Sequence, residues 1–236
     1  MHRTVTTTLS KLSNTLNTNG VIPFFYHQDI DRVLEVMKIL KRCECNVFEF
    51  THQRDARGLR MFTWLAEKAK ELDIIIGAGT VLDASQANRF IQAGAHFIAS
   101  PFLHADVARV CHENNVVWIP GCSTFHDVAE AKALQASLVT ILPGNILGPA
   151  FLKQVVNVHP EISFIPSGGV TLVKNNLQGW FDAGALCVRL GESLFTREDV
   201  AVKDWVKVEG NVYRALQGIK QIKTSILRTN SITISE

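Results

Sequence analysis

The sequence predicts an α/β protein: a single (β/α)8 TIM barrel with an N-terminal helix and a C-terminal helical extension. Three observations point there. Short β-branched or aromatic runs recur about eight times, each followed by a polar loop and then an amphipathic stretch. The connections are long enough for a helix and too long for a hairpin, so the strands should run parallel. The same helix-stopping tripeptide, Ala-Gly-Ala, stands at 93–95 and again at 183–185, four units further on, as a repeated array would place it.

The candidate strands are Val21–Tyr26, Asn46–Thr51, Ile74–Ala78, Phe97–Ser100, Val116–Pro120, Leu138–Leu142, Ser163–Pro166 and Leu186–Leu190. Between the first two, Ile30–Lys41 puts Val33, Leu34, Met37 and Leu40 on one helical face; Leu59–Leu72 does the same with Phe62, Leu65, Ala66 and Ala69. Asp83 and Thr124 are suited to cap the helices after the third and fifth strands. No linker divides the chain. Residues 1–20 are read as a helix packed on the barrel through Leu9, Leu12 and Leu16, 21–200 as the barrel, and 201–236 as a C-terminal helix (Val208, Val212, Leu216, Ile219, Ile222) and tail. An open doubly wound sheet is disfavoured, because His27-Gln28-Asp29 rather than a G-x-G-x-x-G loop follows the first strand.

Composition narrows the function classes. The chain has 236 residues, 47% of them hydrophobic and 19% charged, with a net charge of +2. That content supports a large core, and the balanced charge argues against nucleic-acid and membrane-surface roles, which use a basic face. No apolar run reaches the roughly 20 residues that span a bilayer. Cys43, Cys45, Cys111, Cys122 and Cys187 are odd in number and dispersed, which fits reduced packing residues in a cytoplasm.

In this fold the chemistry gathers where strands end. Strand two ends Phe48-Glu49-Phe50-Thr51, and alternation turns Glu49 opposite its aromatic neighbours, toward the barrel interior. A carboxylate in so apolar a place has a raised pKa suited to proton transfer; the plainer alternative is a solvated or salt-bridged glutamate. Strand three ends Gly77-Ala78-Gly79-Thr80. The later ends read Ser100-Pro101, Pro120-Gly121 and Pro166-Ser167-Gly168-Gly169. Paired glycines before a helix can cradle an anion or simply make a tight turn.

Taken in order, Val21-Ile22-Pro23, Phe48-Glu49-Phe50-Thr51, Gly77-Ala78-Gly79-Thr80, Ser100-Pro101, Ile119-Pro120-Gly121 and Pro166-Ser167-Gly168-Gly169-Val170 resemble the 2-keto-3-deoxy-6-phosphogluconate and 4-hydroxy-2-oxoglutarate aldolases, from about Val21 to Phe195. The resemblance implies a homotrimer that cleaves a 2-keto-4-hydroxy acid into pyruvate and an aldehyde through a lysine imine, with no cofactor and no metal. It implies catalytic roles at Glu49 and at the lysine position, and substrate contacts at Thr51, Gln53, Arg54, Thr80, Pro101, Gly121, Pro143, Ser167, Gly168, Gly169 and Gly191.

Three positions depart from the family pattern. Thr140 stands where the family has its lysine, and a hydroxyl cannot form an imine. Gln53 replaces an arginine that holds substrate carboxylate, with Arg54 beside it. Glu192 follows Gly191 where relatives have serine, and its charge would repel a phosphate. Lys132, Lys153 and Lys174 read as solvated helix-face residues rather than substitutes. The expected partner is a small 2-keto acid or sugar acid, with a catalytically impaired keto-acid-binding paralogue as the alternative reading. A metal held by His27 and His52 is a lesser one.

Overall fold

The computed structural model describes residues 2–51 and 56–233, with side chains from 9 to 51 and from 57 to 228. Helix α1 (His2–Asn19) leads into the ring of strands β1 (Val21–Phe25), β2 (Val47–Thr51), β3 (Ile75–Gly79), β4 (Phe97–Ser100), β5 (Val117–Cys122), β6 (Leu138–Ile141), β7 (Ser163–Pro166) and β8 (Val188–Leu190). Between them run α2 (Ile30–Arg42), α3 (Ala56–Leu72), α4 (Ala84–Gln92), α5 (Ala105–Glu113), α6 (Phe125–Ala133), α7 (Gly144–Val158) and α8 (Lys174–Asp182). The chain ends with α9 (Arg197–Ala201) and α10 (Trp205–Thr233).

The strands are ordered β7-β6-β5-β4-β3-β2-β1-β8, every ladder parallel. The last seam, between β7 and β8, is tied by the Leu186 amide donating to the Phe164 carbonyl at 3.0 Å. This is the expected (β/α)8 barrel, nearly closed on itself, with β7 and β8 meeting through that bond rather than through a ladder.

Several boundaries move by a residue or two. The expected run Leu186–Leu190 enters the ladder only at Val188, because its partner β1 starts at Val21, directly after Gly20 leaves α1. Strand β1 stops at Phe25 rather than Tyr26. Strand β3 lies one residue later than Ile74–Ala78, and β5 continues past Pro120 to Cys122, paired with β6 at Gly121 and Cys122. Helix α10 is longer than its apolar pattern and runs on to Thr233.

The caps fall where the sequence placed them. Asp83 accepts from the Gln86 amide, and Thr124 forms a reciprocal capping box with Asp127. Gly94 and Gly184 close α4 and α8 at φ 99° and 97°, a conformation costly for residues with a Cβ.

The two mouths of the ring are built differently. At the N-terminal mouth α1 touches both β1 and β5, strands on opposite sides of an eight-membered ring, so it lies across the opening. Leu12 and Leu16 are sealed beneath it. Helix α10 packs on α1, α2 and α8 and buries Val208, Val212, Ile219 and Ile222. The Lys223 ammonium fixes the junction by donating to the Asn17 carbonyl at 2.6 Å and to the Leu186 carbonyl at 3.3 Å. Access to the barrel interior is therefore from the C-terminal mouth. No helix among the described residues is long and apolar enough to cross a membrane.

Candidate active site at the C-terminal mouth

Two charged side chains occur on the eight strands: Glu49 on β2 and Arg189 on β8. Both strands flank β1, in registers that set Phe24 beside Glu49 and Ile22 beside Arg189. Inside the ring the Arg189 Nη2 donates to Glu49 Oε1, and the two form an ion pair. Glu49 is 0% exposed. Burial pushes its carboxyl above the ordinary carboxylate value, and the guanidinium offsets part of that rise. Both readings of Glu49 made from the sequence thus hold together: it is interior and it is salt-bridged.

The surroundings make room for this pair. A Cβ on Gly79 would stand 1.9 Å from Glu49 Oε1, so only a glycine leaves that carboxylate its place. A Cβ on Gly191 would stand 2.5 Å from the Phe24 ring. That ring lies 5.4 Å from the guanidinium carbon of Arg189, at cation–π distance. Polar atoms remain unpaired within the strands: Glu49 Oε2, Thr51 Oγ1, Thr140 Oγ1 and Arg189 Nε are all buried with no hydrogen-bond partner among the described residues. Unpaired buried polar atoms are costly and concentrate where a ligand is to be received.

The other expected site residues that the structure describes lie at the same mouth. Thr51 is level with Gly79, and Gly121 with Thr140, in their ladders. A Cβ on Gly121 would meet the Pro101 carbonyl oxygen at 2.3 Å, so the ends of β4 and β5 touch. The Gly144 amide donates to the Ser167 carbonyl at 2.7 Å, which binds the loop after β6, with Pro143, to the loop after β7. Gly168 and Gly169 are exposed there in left-handed conformations. Thr80 also adopts a positive φ, 61°, an outlier for a β-branched residue and a mark of imposed strain at the end of β3.

Gln53 and Arg54 lie outside the described residues, as does His52, so the paired-histidine metal reading falls there too. Among the described residues no cluster of three or more His, Cys, Asp or Glu could hold a metal. Glu192 is exposed, with Arg197 Nε 3.9 Å away.

Lysine is missing from every strand and from every segment linking a strand to the following helix. Lys132 pairs on the surface with Glu161 at 2.6 Å; Lys153 and Lys174 are exposed on α7 and α8. Arg189 is the residue that the sequence reading missed. The signal was present: a single cation in the apolar run Leu186–Leu190, subject to the same alternation that singled out Glu49.

Comparison with known proteins places this arrangement in a family. The family model "Aldolase: KDPG and KHG aldolase" matches residues 12–210. The 2-dehydro-3-deoxy-6-phosphogalactonate aldolase of Escherichia coli is 34% identical over 122 residues, 51% of this chain and 58% of that protein. The 2-dehydro-3-deoxy-phosphogluconate aldolase of Pseudomonas aeruginosa is 31% identical over 166 residues, 70% of this chain and 73% of that protein. The solved 4-hydroxy-2-oxoglutarate aldolase/2-deydro-3-deoxyphosphogluconate aldolase from TTHB1 superposes with a TM-score of 0.75 at 25% identity, covering 88% of this chain and 98% of that one. With a family model spanning the barrel, and a fold shared with a solved member, the chain belongs to the KDPG and KHG aldolase family.

Proposed function

We propose that the protein cleaves a 2-keto-4-hydroxy acid, of the 2-keto-3-deoxy sugar-acid or 4-hydroxy-2-oxoglutarate type, into pyruvate and an aldehyde, and runs the reverse condensation. One observation carries the reading: Glu49, the single acid on the strands, stands buried at the C-terminal mouth with a raised pKa and an oxygen that has no partner among the described residues. A carboxyl raised above its ordinary range holds a proton more readily, and so can both take one and return it. In this reading Thr51, Thr80, Pro101, Gly121, Pro143, Ser167, Gly168, Gly169 and Gly191 contact the substrate, as do Gln53 and Arg54, which follow Thr51 in the sequence. Thr140 takes the place of the family lysine and offers a hydroxyl to the substrate. The exposed Glu192 favours an unphosphorylated substrate end. Working as a homotrimer in the cytoplasm belongs to the same proposal, by family analogy.

The matched relatives are aldolases by name, which favours catalysis over a keto-acid-binding paralogue. The deciding assay offers 2-keto-3-deoxygluconate, its 6-phosphate, the galactonate epimers and 4-hydroxy-2-oxoglutarate, and follows pyruvate release. Release from at least one of them is expected, with the unphosphorylated acids preferred. No release from any, in a protein that still binds pyruvate, would establish the paralogue instead.

A further inference from the structure

We propose that Arg189 is a catalytic residue: its guanidinium faces the keto oxygen of the bound 2-keto acid and holds the enolate charge that an imine would otherwise absorb, so that cleavage is noncovalent. This rests on the aldolase reading above and deepens it.

Carbon–carbon cleavage in a 2-keto-4-hydroxy acid leaves an electron pair on C3 that must be spread over C2 and its oxygen. Something electrophilic has to stand at that oxygen. An imine needs an amine, and lysine is missing from the strands and from the segments that follow them. The cation that the strands do supply is Arg189. Its Nη2 is committed to Glu49, while its Nε is buried without a partner among the described residues and 12% of the side chain remains open. A guanidinium presents five donors in a planar fork, so binding one carboxylate leaves donors for a second oxygen. Phe24 supports the guanidinium at 5.4 Å, and Gly191 leaves that ring its space. The acid that moves the proton is the acid that touches the cation. Proton transfer and charge stabilisation are thereby set side by side.

The steps balance without a further reactant. The Glu49 carboxylate takes the proton of the C4 hydroxyl. The C3–C4 bond breaks as C4 becomes the aldehyde carbonyl, and its electron pair passes through C3 and C2 onto the keto oxygen, opposite Arg189. The aldehyde departs. Glu49 returns its proton to C3, and the enolate collapses to the keto group of pyruvate. No proton is gained or lost overall, and nothing is oxidised or reduced.

The test reads the enolate half-reaction and so does not depend on the identity of the aldehyde. The full chain is incubated with pyruvate in deuterium oxide, and loss of the methyl proton signal is followed by NMR. A parallel sample with pyruvate and borohydride is examined by mass spectrometry. The wild type is expected to exchange the methyl protons, to form no borohydride-trapped adduct and to keep its activity after borohydride. Arg189→Met should slow exchange roughly 100-fold or more, the scale of losing one oxyanion donor. Arg189→Lys keeps the charge and guards against a folding defect in the methionine variant. It should exchange roughly 10-fold slower than wild type, because a point charge cannot serve both oxygens as a fork does.

A pyruvate adduct on any lysine would overturn the inference and leave the aldolase reading standing. So would wild-type exchange rates in Arg189→Lys, or in a folded Arg189→Met. A wild type that neither exchanges pyruvate protons nor cleaves any keto acid would fail the aldolase reading itself and the inference with it.

Discussion

The two mouths of this barrel carry opposite chemistry. The N-terminal mouth is stopped by α1, with Leu12 and Leu16 sealed under it. The C-terminal mouth holds an ion pair, a row of glycines and four buried polar atoms without partners among the described residues. One end is stopped by packed leucines; the other leaves hydrogen-bonding capacity unused within the strands and tolerates Thr80 at a strained φ of 61°. Stability and function are separated by a single strand length.

Changes at the two ends should therefore fail in different ways. The largest effect is expected for Glu49→Gln at the open mouth: turnover falls roughly 1,000-fold, within the range for losing a proton-transfer group, while circular dichroism and melting show an intact fold. Leu16→Ala, under the plug, should do the reverse. Unfolding in urea is expected to show a loss of about 2–5 kcal/mol, with KM unchanged in the molecules that remain folded. A Leu16 variant that altered KM at full stability would erase the contrast.

Gly79→Ala sharpens it further, because the methyl would overlap Glu49 Oε1. It should cost roughly 10-fold or more in kcat, with the acidic limb of the pH profile displaced, since the carboxylate must leave its arginine.

A subtler expectation concerns pH. The folded Glu49 carboxyl titrates above its ordinary 4.5, mainly through burial. Above 4.5 the folded state thus holds a proton that the unfolded state has released, and stability falls as pH rises through the raised value. Activity needs the ionised form and should rise over the same interval. Wild-type stability and activity measured between pH 4 and 8 are expected to move in opposite directions, and Glu49→Gln should flatten that part of the stability curve.

The smallest effect is chemical. Cys45, Cys111, Cys122 and Cys187 are buried with thiols pushed up to about 12, while Cys43 is half-buried. Native protein is expected to give one slow thiol titration, at Cys43, and five fast ones after denaturation.

Much of this was legible in the amino-acid order because each feature has a local cause. The strands follow from β-branched runs, the caps from Asp83 and Thr124, and the inward turn of Glu49 from its place between two phenylalanines. What stayed hidden depends on distant neighbours. The Glu49 partner lies 140 residues away on β8, and only the pairing of both β2 and β8 with β1 brings the two together. The one-residue shift of β3 and the late start of β8 follow from ladder partners that a local pattern does not name. The plug is intermediate. Leu9, Leu12 and Leu16 announce a helix, while its course across the ring is fixed by contacts with β1 and β5.

The Lys223–Asn17 bond joins positions 206 apart in the sequence. Synthesis delivers the stopper helix well before its fastening. The nascent barrel therefore waits, unfastened at its base, until α10 has been made, and loop-closure entropy makes that joint slow. Truncation within α10 should accordingly leave a chain that reaches the assembly step and stalls there.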